Sequence, residues 1–118
     1  MITKATLDDI TVLQFLINGA YRGETSKAGW TTEANILGGE RTNQEELTQI
    51  LLDPKNRLLK YTEAGQILGC VLLTAEKKQL YLGMLSVAPK LQNSGIGAQL
   101  LAQAEIYAKQ LGLPKIVM

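Results

Sequence analysis

Between Leu85 and Leu100 the chain reads Leu-Ser-Val-Ala-Pro-Lys-Leu-Gln-Asn-Ser-Gly-Ile-Gly-Ala-Gln-Leu, a glycine-bearing loop set between an apolar run and an amphipathic one. Glycines at 95 and 97 let the main chain pass close to a ligand, and the first amides of a helix have no partners inside the helix. Those donors and the positive end of the helix dipole together make an anion site, for which a phosphate or pyrophosphate is the natural guest. Two common phosphate sites do not fit. A P-loop ends in Gly-Lys followed by Ser or Thr, where this chain has Gly97-Ala-Gln99, and a dinucleotide fingerprint wants Gly or Ala where Leu100 stands. A ligand-free tight turn from strand to helix is the plain alternative.

Other chemistry is excluded by residue type. Histidine is absent, which removes imidazole bases, imidazole-activated nucleophiles and the commonest zinc ligand; no metal is expected. The single cysteine, Cys70, lies in the apolar run Ile67–Leu73 with nothing to activate it, and reads as a packing residue. Twelve Lys and Arg against eleven Asp and Glu leave a net charge of +1, with no basic patch for nucleic acid. The first 16 residues are broken by Lys4, Asp8 and Asp9, unlike a signal peptide, and no apolar run reaches a membrane span, so the expected setting is the cytoplasm, with no membrane partner.

The 118 residues suit one domain, spanning 1–118. Ile2–Thr6 is β-compatible. Thr6-Leu-Asp-Asp9 is a capping box for a helix running to about Tyr21, with Ile10, Leu13, Ile17 and Ala20 as its apolar stripe, Phe15 and Leu16 widening it, and Gly23 as a stop. Gly23–Arg41 reads as a long loop, with a helical turn near Thr32–Leu37. Thr42-Asn-Gln-Glu45 is a second capping box before a short helix through Leu47, Ile50 and Leu51, ended by Asp53-Pro54.

Three strands follow: Arg57–Thr62, a hairpin turn at Glu63-Ala-Gly65, then Gln66–Glu76 and Leu80–Val87. The middle one is apolar on both sides, Ile67, Val71 and Leu73 against Leu68, Cys70 and Leu72, so it should be central and covered twice. A helix from about Gly95 to Leu111 buries Ile96, Leu100, Ala104, Ala108 and Leu111, stops at Gly112, and leads to a last strand at Lys115–Met118. The order β-α-α-β-β-β-α-β describes a mixed α/β sheet whose last strand runs parallel to the one before the helix.

Gln92-x-x-Gly95-x-Gly97, preceded by Leu85-x-Val87-x-Pro89 and followed by Leu100-Leu101, resembles the acetyl-CoA motif of the GNAT family of N-acetyltransferases. The element order resembles the first two thirds of that fold, and the stretches Ala20–Glu24 and Gly29–Ala34, followed by Arg41, look like a recurrent GNAT variant. The resemblance implies acetyl-CoA as cosubstrate and a primary amine of a small molecule or peptide as acceptor, acetylated by direct transfer. It implies that the main chain of Leu85 and Val87 pairs with the pantetheine arm, that Gln92, Asn93, Ser94, Gly95, Ile96, Gly97 and Ala98 hold the pyrophosphate, and that the Leu85 amide faces the thioester oxygen.

Many members carry a carboxylate on the fourth strand. Leu80–Leu85 has none, which leaves Tyr81, Glu33 or Glu24, or a water chain, to move the proton. Tyr21 and Trp30 are candidate acceptor contacts, or anchors of the loop on the sheet. Arg22 and Arg41 are candidates to recognise an acceptor anion, or surface ion-pair partners. The family pattern continues with a helix and two strands bearing its usual catalytic-acid tyrosine, so the expectation is a truncated product or fragment whose last strand is covered by a second chain or a second copy. A silent acyl-CoA-binding or subunit-interaction module is the alternative function, and a ligand-free structural domain a third.

Overall fold

A computed structural model of the chain describes residues 1–27, 42–88, 91 and 94–117, with the side chains of 21–27 excepted. The elements are β1 (Ile2–Lys4), a 3-10 turn (Leu7–Asp9), α1 (Ile10–Lys27), α2 (Gln44–Leu52), β2 (Asn56–Glu63), β3 (Gln66–Ala75), β4 (Leu80–Val87), α3 (Ile96–Gln110) and β5 (Ile116–Val117). The expected order is found. The five strands form one sheet in the order β1-β2-β3-β4-β5, antiparallel throughout except for the parallel β4–β5 pair.

Thr6 and Asp9 act as anticipated: the Asp9 carboxylate accepts from the Thr6 N–H at 2.9 Å. Lys60 of β2 donates to the same oxygen at 2.8 Å, tying the start of α1 to the sheet. Burial works to raise the Asp9 carboxyl, but Lys60 and the Thr6 amide outweigh it and hold it below its ordinary value.

Four expectations about the helices are corrected. α1 passes through Gly23 to Lys27; a lone glycine in a helix costs about 1 kcal/mol relative to alanine and ends it only by turning left-handed. Phe15 is 84% exposed, off the buried stripe of Ile10, Leu13, Leu16, Ile17 and Ala20. The cap of α2 is Asn43, whose side chain accepts from the Glu46 N–H at 2.8 Å. Leu111 is 43% exposed, because α3 closes one residue earlier in a Schellman turn, Gly112 N–H to Lys109 O at 3.1 Å and Leu113 N–H to Ala108 O at 2.9 Å, around Gly112 at φ +72°.

The displaced cap has a long-range cause. Buried Asn18 on α1 accepts from the Thr42 N–H at 2.9 Å and donates to the Thr42 carbonyl at 3.0 Å, so that the Thr42 backbone is held by α1. The Thr42 hydroxyl meanwhile lies 2.6 Å from Glu46 Oε1. Replacing Asn18 by alanine strands two buried main-chain groups, and should lower unfolding stability by about 2 kcal/mol in urea melts.

β3 is central and doubly covered, as its sequence implies, but its faces divide differently. Val71 and Leu73, with Leu68, pack under α3 beside Leu59, Leu80, Leu82, Ile96, Leu100, Ala104 and Ala108. Cys70, with Ile67 and Leu72, packs under α1 and α2 with Leu13, Ile17, Leu47 and Leu58. Ile67 and Leu68 have exchanged sides. The register with β2 passes from Tyr61↔Gly69 to Thr62↔Ile67, leaving Leu68 as the extra residue of a bulge, and one extra residue inverts a period of two. Among the described residues no helix is long and apolar enough to cross a membrane.

Candidate functional site

Main-chain hydrogen bonds tie the described residues after β4 to the sheet and to one another. Ala88 N–H reaches back to Leu68 O of β3 at 2.9 Å, Leu91 N–H to Ala88 O at 2.8 Å, and Ser94 N–H to Leu91 O at 3.2 Å. Gly95 then caps α3 in the left-handed region, at φ +93° and ψ −4°, where glycine alone is free of Cβ strain. The first helical bond runs from Gln99 N–H to Gly95 O at 3.1 Å, so the amides of Ile96, Gly97 and Ala98 precede the ladder. Gly95 has no side chain with which to cap them. The buried Ile96 side chain anchors this first turn in the core, leaving only its N–H for the site.

Gly97 is the more telling glycine. Its φ is ordinary, and a Cβ added there would meet only Val87 Cγ2, at 3.9 Å. Nothing inside the described molecule requires glycine at 97, although glycine is a poor helix former.

β4 runs into this helix end with one edge open. β5 pairs with it at Leu80 and Tyr81 only, and among the described residues no strand pairs with that edge of β4 from Leu82 to Val87. On its other side β4 carries a bulge: Leu72 faces Gly83 and Cys70 faces Ser86, so Met84 and Leu85 together oppose Val71. Met84 takes φ +50°, uncommon for a residue with a side chain. Its carbonyl accepts from Ser86 Oγ at 3.1 Å and lies 3.7 Å from the Cys70 thiol. Leu85 thus sits in the bulge itself, and Val87 lies between it and the start of α3. Cys70 is fully buried, and burial pushes its thiol up to about 12, so it is a core residue and no nucleophile.

Near the β5 end of β4 lies a cleft of about 380 Å³, lined by Leu72, Thr74, Glu76, Tyr81, Leu82 and Gly83. Tyr81 stands there 43% exposed, opposite Thr74 in register. Glu76 was not a candidate from sequence. It follows the spacing of Leu72 and Thr74 one residue past β3, its N–H bonded to Gln79 O at 2.9 Å, and a carboxylate at that spacing is the signal that would have found it. Gln92 and Asn93, Trp30 and Glu33, and the side chains of Tyr21, Arg22 and Glu24 lie outside the described residues, as do Arg41 and the turn expected near 32–37. Among the described residues no group of three or more Cys, Asp or Glu gathers as metal ligands would.

A family model for the acetyltransferase (GNAT) domain matches residues 27–117. No curated protein sequence matches significantly. Solved structures do: a mutant of the BH1408 protein from Bacillus halodurans superposes with a TM-score of 0.80 at 16% identity, over 98% of this chain and 79% of that one. The PaiA N-acetyltransferase of Thermoplasma acidophilum, solved with coenzyme A, gives 0.79 at 18%, over 96% and 74%. An aminoglycoside 6'-N-acetyltransferase from Acinetobacter haemolyticus gives 0.71 at 19%, over 99% and 77%. With the mixed five-stranded sheet, the glycine-capped helix and a family model covering most of its length, the chain belongs to the GNAT acetyltransferase family.

Proposed function

We propose that the chain is an acetyl-CoA-dependent N-acetyltransferase acting on a primary amine by direct transfer. The observation that carries this is the first turn of α3: three amides ahead of the helical ladder, no capping side chain, and a glycine at 97 for which the described residues have no use. That arrangement fits a pyrophosphate brought close to the main chain. The similar PaiA enzyme, solved with coenzyme A, supports the same choice of ligand.

The amides of Ile96, Gly97 and Ala98 hold the pyrophosphate, with Gln92, Asn93, Ser94 and Gly95 completing the loop around it. The open edge of β4 offers main-chain groups of Leu85 and Val87 to the pantetheine arm. Bound acetyl-CoA supplies a thioester carbonyl. The Leu85 N–H donates to its oxygen, where negative charge grows as the amine nitrogen bonds to the acetyl carbon. The C–S bond breaks, and the thiolate takes up the proton that the amine gives away. The acceptor, a small molecule or a peptide amine, enters over the cleft where Tyr81 and Glu76 stand, the two groups there able to relay that proton.

Replacing Gly97 by alanine tests the ligand directly. Alanine suits the helix better and meets no clash, so thermal melts should show about 0.5 kcal/mol of added stability, while calorimetry should show acetyl-CoA bound about tenfold more weakly. Unchanged affinity would return the loop to a plain turn. Turnover is read as amine-dependent thiol release over a panel of primary amines, with the buried Cys70 thiol adding little background. Acetyl-CoA bound without release from any amine would identify a silent acyl-CoA-binding module instead.

A further inference from the structure

One peptide group on β4 faces two ways. Its oxygen belongs to Met84 and its N–H to Leu85, and none of the described peptide bonds is cis, so the two point in opposite directions. The oxygen end is fixed. Ser86 Oγ donates to it at 3.1 Å and the Cys70 thiol lies 3.7 Å away. Ser86 is only 6% exposed and Cys70 is fully buried, and the two sit directly opposite each other in the β3–β4 register. Cys70 packs under α1, so the Met84 oxygen is drawn towards β3 and that helix. The N–H at the other end is therefore turned away from β3, towards the edge of β4 that β5 leaves uncovered.

The geometry needs such a restraint. Met84 holds φ +50° without being a glycine, and a left-handed residue with a side chain relaxes unless its surroundings hold it. A flip of this peptide would turn the Leu85 N–H inward. The thiol stays protonated, and hence a donor, across the whole ordinary pH range.

We propose that Ser86 and Cys70 are positioning residues, which by holding the Met84 carbonyl aim the Leu85 N–H at the thioester oxygen. This rests on the reading of Leu85 given above. Neither side chain touches substrate; both act through the Met84–Leu85 peptide.

The test uses the full chain with Ser86→Ala, Cys70→Ala and the double variant. A misdirected oxyanion donor costs the transition state and not the bound cosubstrate, so Ser86→Ala should lower kcat about tenfold, with KM and Kd for acetyl-CoA held within about twofold. The double variant should lose more. Adding Cys70→Ser to Ser86→Ala puts a stronger donor opposite the lost one and should restore kcat at least about threefold, which a purely structural role would not do. Unchanged kcat in the double variant, or a loss shared equally between kcat and acetyl-CoA affinity, would overturn the proposal.

A second readout is independent of turnover. In nitrogen–proton spectra of the free protein, the Leu85 amide should shift and broaden in Ser86→Ala while resonances of β2 and α3 stay in place; an unmoved Leu85 amide would overturn the positioning role. If the unaltered chain releases no thiol with any amine, it is the reading of Leu85 as oxyanion donor that fails, and the spectra still decide whether Ser86 and Cys70 orient it.

Discussion

Replacing Gly95 by aspartate is expected to weaken acetyl-CoA binding at least about a hundredfold while leaving the melting curve nearly unchanged. Two unit charges about 5 Å apart at an effective dielectric near 20 repel by roughly 3 kcal/mol, and a hundredfold loss corresponds to about 2.7 kcal/mol. The fold should tolerate the change, because Asp is among the few side chains that enter the left-handed region readily and no described residue lies within 4 Å of a Cβ at this position. Gly95→Asn separates charge from bulk: it is nearly the same shape without the charge, and should lose only about tenfold by calorimetry. Equal losses for the two variants would mean that the loop is simply blocked. No loss for either would remove the pyrophosphate from this site altogether.

Gly69→Val should be the most destabilising single change, by about 3 kcal/mol, seen as a fall of roughly 15 °C in a calorimetric melt. A Cβ at Gly69 would lie 2.9 Å from Ile96 Cγ2, 3.2 Å from Leu100 Cδ1 and 3.2 Å from the Ser86 carbonyl oxygen. The two side chains can give a little, but the carbonyl is main chain in a paired strand. Even Gly69→Ala should be felt, because the neighbours on α3 are fully or almost fully buried and have no free volume to move into. A variant at 69 that melts like the original would show that α3 can slide on the sheet.

The elements were legible where local chemistry decides. Gly112 ends α3 because only glycine enters its left-handed turn without strain, and Pro114 prevents the helix from resuming. The stretch from Leu85 to Leu100 pointed to the family through residue types that a packed turn does not need. Other features depend on partners far along the chain. Thr42 and Asn43 are equally good caps by type, and the choice of Asn43 follows from Asn18, 24 residues away, holding the Thr42 main chain. The alternation of β3 failed at Leu68 because a bulge carries no side-chain signature of its own. The left-handed Met84 was equally silent, since sequence patterns look for glycine there. Glu76 escaped because its relevance comes from sharing a cleft with Tyr81 rather than from any motif.

Gly69 has a further consequence when the two ends of the proposed cofactor site are considered together. The first turn of α3 and the bulged strand β4 also meet across Gly69 of β3. Ile96 of α3 and Ser86 of β4 both close on Gly69, so the separation is gauged by a single hydrogen atom on a strand that belongs to neither end. A side chain at 69 would push the two apart and lengthen the span on offer to a ligand of fixed length.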